Sequence, residues 1–182
     1  PPWVWPIEQA MYQGSDFPLE SNVGARPLDL CFVGTTSQYR STMVCHLIES
    51  GLFKIDWEWP LRRMEWPDWA ARHRRAKMFL EINGGGQGSD RPYQLIRAAP
   101  MVKQRSSRRW VYDWADGVNC LEIADDHGVP QPGDLERLRV LLDDPVALQK
   151  MYEAGSAFAE EKFSPLARAK YVLGVLGKLG IN

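Results

Sequence analysis

The sequence has no long hydrophobic run: nothing in its 182 residues approaches the ~20 apolar positions that a membrane helix needs. Its opening, PPWVWPIEQ, has neither the basic start nor the continuous apolar stretch of a secretory signal. No Met stands at position 1, as expected of a fragment or a processed chain. An excess of either charge is also lacking. Lys and Arg number 22 against 23 Asp and Glu, a net charge of -1, which excludes a global basic field for nucleic acid. Cysteine is scarce, with Cys31, Cys45 and Cys120 and no CxxC spacing. An odd count, two of them in apolar strand-like runs, argues against a disulfide framework and favours a reducing compartment such as the cytoplasm. His46, His73 and His127 stand apart, without a partner at ligand spacing, so no metal is expected.

What is present reads as one domain preceded by a lead-in. Residues 1–27 are rich in Pro, Trp, Gly and Ser and hold no period, which suggests an extended segment or an inter-domain linker. Trp3, Trp5, Tyr12 and Phe17 in it need a surface to cover them. From Leu28 on, residues 28–182, strand and helix patterns alternate. LDLCFVG is apolar on both faces, as a central parallel strand is, and Gly34 ends it. A helix is expected over about Gln38 to Ser50, a strand over Phe53 to Trp57, and a helix over about Asp68 to Ala76 capped by Asp68. Strands follow at Lys77 to Ile82, Pro100 to Lys103 and Asn119 to Ile123, with a short helix at about Pro92 to Ala98. The last third is helical. Asp134 follows Pro132-Gly133, and Asp144-Pro145 and Ser164-Pro165 are helix starts. On the final helix Leu166, Ala169, Val172, Leu173 and Leu176 form one apolar face. The fold class is therefore α/β: a Rossmann-like parallel sheet of five or six strands flanked by helices.

Ligands of such sheets bind beyond the carboxyl ends of the strands, where helix N-termini offer N–H groups to phosphate. Two junctions fit. Gly34-Thr35-Thr36-Ser37 with Arg40 combines close backbone approach, hydroxyl donors and a charge one turn into the helix; it also reads as an ordinary capped turn. Asn83-Gly84-Gly85-Gly86-Gln87-Gly88-Ser89-Asp90-Arg91 is a glycine-rich loop with an Arg at the following helix start. It is neither a P-loop nor a complete GxGxxG, and it reads equally as a surface loop. Two basic clusters, Arg72/Arg74/Arg75/Lys77 and Lys103/Arg105/Arg108/Arg109, suit a local anion or a solvated face. Trp110, Tyr112 and Trp114 stack on a base or sugar, or pack in the core. Glu122, Asp125 and Asp126 hold a ribose, or make a solvated turn.

Taken in order, these blocks resemble the Rumi-like (capsule-associated protein) glycosyltransferases, family 90. CFVGTTSQYRS is similar to that family's Phe-x-Gly-Ser/Thr segment with its following Ser and Arg. KMFLEINGGGQGSDRPYQLIRAAPMVKQRSS is similar to its Asn-Ile-Asp-Gly strand end, Arg-bearing helix start and strand closing in Leu-Lys-Gln, with Asn83-Gly84 where the family has Asp-Gly. AGSAFAEEKFS is similar to its Ala-x-x-Gly-x-x-Phe stretch, so the match runs from about Leu28 to Phe163.

The resemblance implies the C-terminal half of a GT-B enzyme that holds a UDP-sugar for inverting, generally metal-independent transfer to an acceptor hydroxyl. It implies donor contacts from Gly34, Thr35, Ser37, Arg40, Asn83, Gly84, Arg91 and Lys103. An acidic residue of an N-terminal domain would take the acceptor's proton. Nothing before Leu28 is long enough for that domain, so the catalytic residue is expected on another segment or partner chain. The final helix is expected to pack toward that partner. The alternative is a non-catalytic binding or scaffold module of the same fold; a nicotinamide-binding enzyme fits least, for want of the acidic residue in its fingerprint context.

Overall fold

The computed structural model describes residues 19–35, 37–59, 66–82, 92, 95–105 and 114–180. Five parallel strands form one sheet: β1 (Leu28–Val33), β2 (Ile55–Glu58), β3 (Ala76–Glu81), β4 (Met101–Gln104) and β5 (Leu121–Ile123). Their order is β2-β1-β3-β4-β5. The run LDLCFV is apolar on both sides because β1 is central, paired with β2 on one edge and β3 on the other. Helices α1 (Gln38–Glu49), α2 (Trp66–His73), α3 (Asp134–Asp143), α4 (Pro145–Phe163) and α5 (Pro165–Lys178) complete the α/β arrangement.

Adjacent strand residues point to opposite faces, and the core divides accordingly. On one face Leu30, Phe32, Leu80, Val102 and Leu121 meet Met43 and Leu47 of α1 and Leu138 and Leu142 of α3. On the other, Phe79, Met101 and Cys120 meet Leu95, Ala98, Trp114 and the far end of α4, Ala159 and Phe163. Trp114 is thus a packing aromatic, with its ring 4.7 Å from that of Phe158. Burial pushes the Cys120 thiol up to about 12, so it acts as a small hydrophobe. Helix α4 contributes to both cores, with Leu148, Met151 and Tyr152 in the first. The Tyr152 hydroxyl is carried in with its ring and donates to the Arg97 carbonyl at 2.7 Å. Tyr152→Phe is expected to cost about 1 kcal/mol in urea unfolding, the ordinary net worth of one such bond.

Helix starts follow the sequence. Ser37 caps α1, Asp144 caps α4 by accepting from Val146 and Ala147, and Ser164 caps α5. A 3-10 turn at Val23–Ala25 precedes β1 and lies against α4. There the Val23 N–H donates to Gln149 Oε1 at 3.2 Å, and Gln149 Nε2 donates to the Glu20 carbonyl at 2.9 Å. A Cβ on Gly24 would stand 2.8 Å from that of Pro145, so the contact is backbone-close.

Several expectations shift. Helix α2 begins at Trp66 and ends at His73, because Ala76 is already in register with Leu28 of β1. Pro67 sits in its first turn, where the missing N–H costs nothing. Strand β2 begins only at Ile55, Phe53 packing instead against the first core. Strand β4 runs one residue further than expected, to Gln104, while β5 is trimmed to Leu121–Ile123. The expected short helix at 92–98 falls partly outside the described residues; its last part is a turn, in which the Ala98 and Ala99 N–H groups donate to the Leu95 carbonyl.

In the first basic cluster, Arg72, Arg74 and Lys77 are held in ion pairs within the fold. Arg72 binds Asp56 and Glu58, Arg74 binds Glu20, and Lys77 binds Asp29. Most of the expected stripe on α5 is uncovered among the described residues, Leu166 being 64% exposed and Leu173 67%, while Leu176 is half-buried. No described helix is long and apolar enough to cross a membrane.

Candidate functional site

Strand β2 pairs on one side of β1 and β3 on the other, so the connection leaving β1 and the one leaving β3 diverge. That divergence is the switch point of a parallel sheet, the place where ligands of such sheets bind, beyond the carboxyl ends of β1 and β3. The residues there are Gly34, Thr35 and Ser37 from the first loop, Arg40 from the first turn of α1, and Ile82 just beyond β3.

Their geometry is specific. The Gly34 N–H donates to the Glu58 carbonyl at 3.2 Å, which ties the loop to the end of β2. Ser37 Oγ accepts from the Arg40 N–H at 3.4 Å, and its carbonyl accepts from Ser41 at 2.9 Å. The Arg40 side chain reaches from the first loop to the end of β3. Its Nε donates to the Ile82 carbonyl at 3.0 Å, and its Nη1 to the Thr35 carbonyl at 3.0 Å and Oγ1 at 2.6 Å. Four of the sequence-derived residues, Gly34, Thr35, Ser37 and Arg40, therefore share one loop and helix start. Asn83, Gly84 and Arg91 lie outside the described residues.

Lys103 is placed differently. It shares the face of Met101, the side of the sheet away from α1, and its ammonium is bonded to Glu122 with the side chain 3% exposed. In register it stands between Glu81 of β3 and Glu122 of β5, a row of alternating charge near the carboxyl edge. Glu122 is accordingly held by an ion pair. Asp125 is a turn former: its carboxylate accepts from the N–H groups of His127 and Val129. Those backbone bonds, the Val129 one foremost, hold its carboxyl below the usual range.

The sequence reading missed Asp134 as more than a helix start. Its carboxylate is 2% exposed and pairs with Arg105, Nη1 donating to Oδ2 at 2.7 Å. It also accepts from the Ala124 and Gln131 N–H groups, each at 2.8 Å. Burial pushes this carboxyl up, but the Arg105 bond and the two backbone donors outweigh burial and hold it below the ordinary value. The bonds fix Ala124 in the left-handed region, at φ 64, just after β5. Arg105 is thereby an internal partner; Arg108 and Arg109, with Trp110 and Tyr112, lie outside the described residues. Beyond β5 the chain folds onto α1, with the His127 ring 5.5 Å from that of Tyr39. The only trace of this in the sequence is the Gly133-Asp134 pair, which reads as a plain helix start.

No protein-family model matches this chain, and no curated protein matches it. Among solved structures, it is similar to the C-terminal domain of a glycosyl transferase group 1 family protein (LpcC) from Francisella tularensis. The TM-score is 0.51 with 11% identity, over 87% of this chain and 93% of that one. At that identity the likeness concerns the fold. The chain has an α/β Rossmann-like fold, a five-strand parallel sheet flanked by helices, and the likeness to this glycosyl transferase group 1 domain does not single out family 90.

Proposed function

We propose that residues 28–182 form the donor-binding domain of a GT-B glycosyltransferase, with residues 1–27 as its lead-in or linker. The observation that carries this reading is the Arg40-bridged loop and helix start at the β1/β3 switch point, joined to a fold similar to that of a glycosyltransferase domain. A nucleoside diphosphate-sugar suits it. The α1 N-terminus directs N–H groups and a partial positive charge toward the diphosphate, Gly34 admits it to the backbone, and Thr35 and Ser37 supply hydroxyls. Uridine as the base, inverting transfer and membership of family 90 rest on the sequence resemblance. In that chemistry the acceptor oxygen bonds to the anomeric carbon as its bond to UDP breaks. The fixed donors stabilise the departing diphosphate, and the acceptor proton passes to a base outside this domain. A partner domain is also suggested by the open apolar stripe of α5. The same stripe favours, as a second reading, a binding module that keeps the fold without the transfer.

Isothermal calorimetry with UDP, and GDP, ADP and NAD as controls, tests the proposal. Selective UDP binding in the micromolar to millimolar range, of order 4–8 kcal/mol, is the expected result. A folded protein that binds none of them would overturn it and leave the binding-module reading.

A further inference from the structure

We infer that Arg40 is a positioning residue: it holds the loop after β1 at a fixed distance from the end of β3, and its contribution to the site is geometric rather than that of a free positive charge. The inference rests on the donor-site reading but concerns a different property of the site. A guanidinium has five N–H groups in a planar fork. Three hydrogen bonds engage it here, one from Nε to the Ile82 carbonyl and two from Nη1 to Thr35. Its acceptors are main-chain oxygens of two segments that are 42 and 5 residues away in sequence, plus one hydroxyl. Both segments are anchored independently. Ile82 follows the buried strand β3, and Gly34 is tied to Glu58. Arg40 is also fixed at its own end, since its N–H is held by the Ser37 cap. The side chain is therefore a strut between two rigid points, across the gap in which a switch-point ligand sits. An ammonium at the same position keeps the charge but not the fork, so it cannot address the two oxygens in their separate directions.

The test uses Arg40→Lys and Arg40→Ala in the intact chain, with UDP as the probe and melting temperature as the check on folding. Hydrogen exchange is read on ligand-free protein at Gly34, Thr35, Ser37, Glu81 and Ile82. A strut predicts faster exchange confined to these residues in both variants, with the melting temperature little changed. It predicts a loss of UDP affinity of about tenfold or more, as large for Lys as for Ala. Wild-type affinity in Arg40→Lys would overturn the inference and leave charge as the whole role. Unchanged exchange in both variants would overturn it as well. If the parent protein binds no UDP, the donor-site reading fails while the exchange measurement still decides the strut. Should Arg40→Ala not fold, Arg40→Lys alone gives both readouts.

Discussion

Asp134→Ala is expected to lower the unfolding free energy by about 3 kcal/mol, the lower end of what breaking a buried charge pair costs. The lower end applies because Arg105 is 35% exposed and regains water, whereas Asp134 is 2% exposed. The Ala124 and Gln131 N–H groups lose their acceptor too, which Arg105 cannot replace. Asp134→Asn keeps the shape and one acceptor oxygen, so a smaller loss is expected. Urea unfolding of the three proteins at pH 7 gives the order. The pH dependence carries the sign: a carboxyl held below its unfolded value near ~3.9 contributes its full stability above that value. The contribution disappears as pH falls through the lower folded pKa. The gap between parent and Asp134→Asn should therefore be constant from neutral pH down to the carboxylate range and shrink below it. A gap independent of pH would mean that Asp134 is not held as a carboxylate.

Gly128→Ala should be comparably severe, about 3 kcal/mol, from two sources that add at one site. Gly128 has φ 82, a region that costs an L-residue about 1–2 kcal/mol. A Cβ there would also lie 2.4 Å from the Tyr39 carbonyl oxygen, a main-chain atom that cannot swing aside. Overpacking of that kind adds about 1–3 kcal/mol. Gly133 separates the two sources. Its φ is 83, yet nothing lies within 4 Å of the added carbon. Gly133→Ala should lose only the backbone part, about 1 kcal/mol, in the same denaturation experiment. Equal losses at both glycines would show that the loop after β5 does not press on α1.

Much of the frame was legible because local chemistry suffices for it. Strand β1 announces itself by being apolar on both faces, and α1 by Gly34 and the Ser37 cap. The starts of α4 and α5 are written in Asp144-Pro145 and Ser164-Pro165. What failed depended on partners far along the chain. Arg72, Arg74 and Lys77 form a basic cluster in sequence, but Asp56, Glu58, Glu20 and Asp29 reach them only after the sheet is assembled. Helix α2 ends early because pairing with β1 takes Ala76. Lys103 could be placed on a strand but not on a face, since a single-residue shift inverts which side receives the side chain. At the site, spacing singled out Arg40 as a charge. That its target is the Ile82 carbonyl follows from β1 and β3 being neighbours, which no local pattern encodes.

The bonds joining Val23 and Glu20 to Gln149 bear on how the chain is finished during synthesis. The sheet can grow as translation proceeds, β3 adding to the free edge of β1 and β4 and β5 each to the strand made just before. The stretch before β1 cannot follow that schedule, because its partner lies 126 residues downstream. Until α4 has left the ribosome, Val23 has no cover from it, and any nascent chain ending short of Gln149 leaves the turn before β1 without that partner. The turn before β1 is thus made ahead of every strand of this sheet, yet it is secured only when α4 is complete.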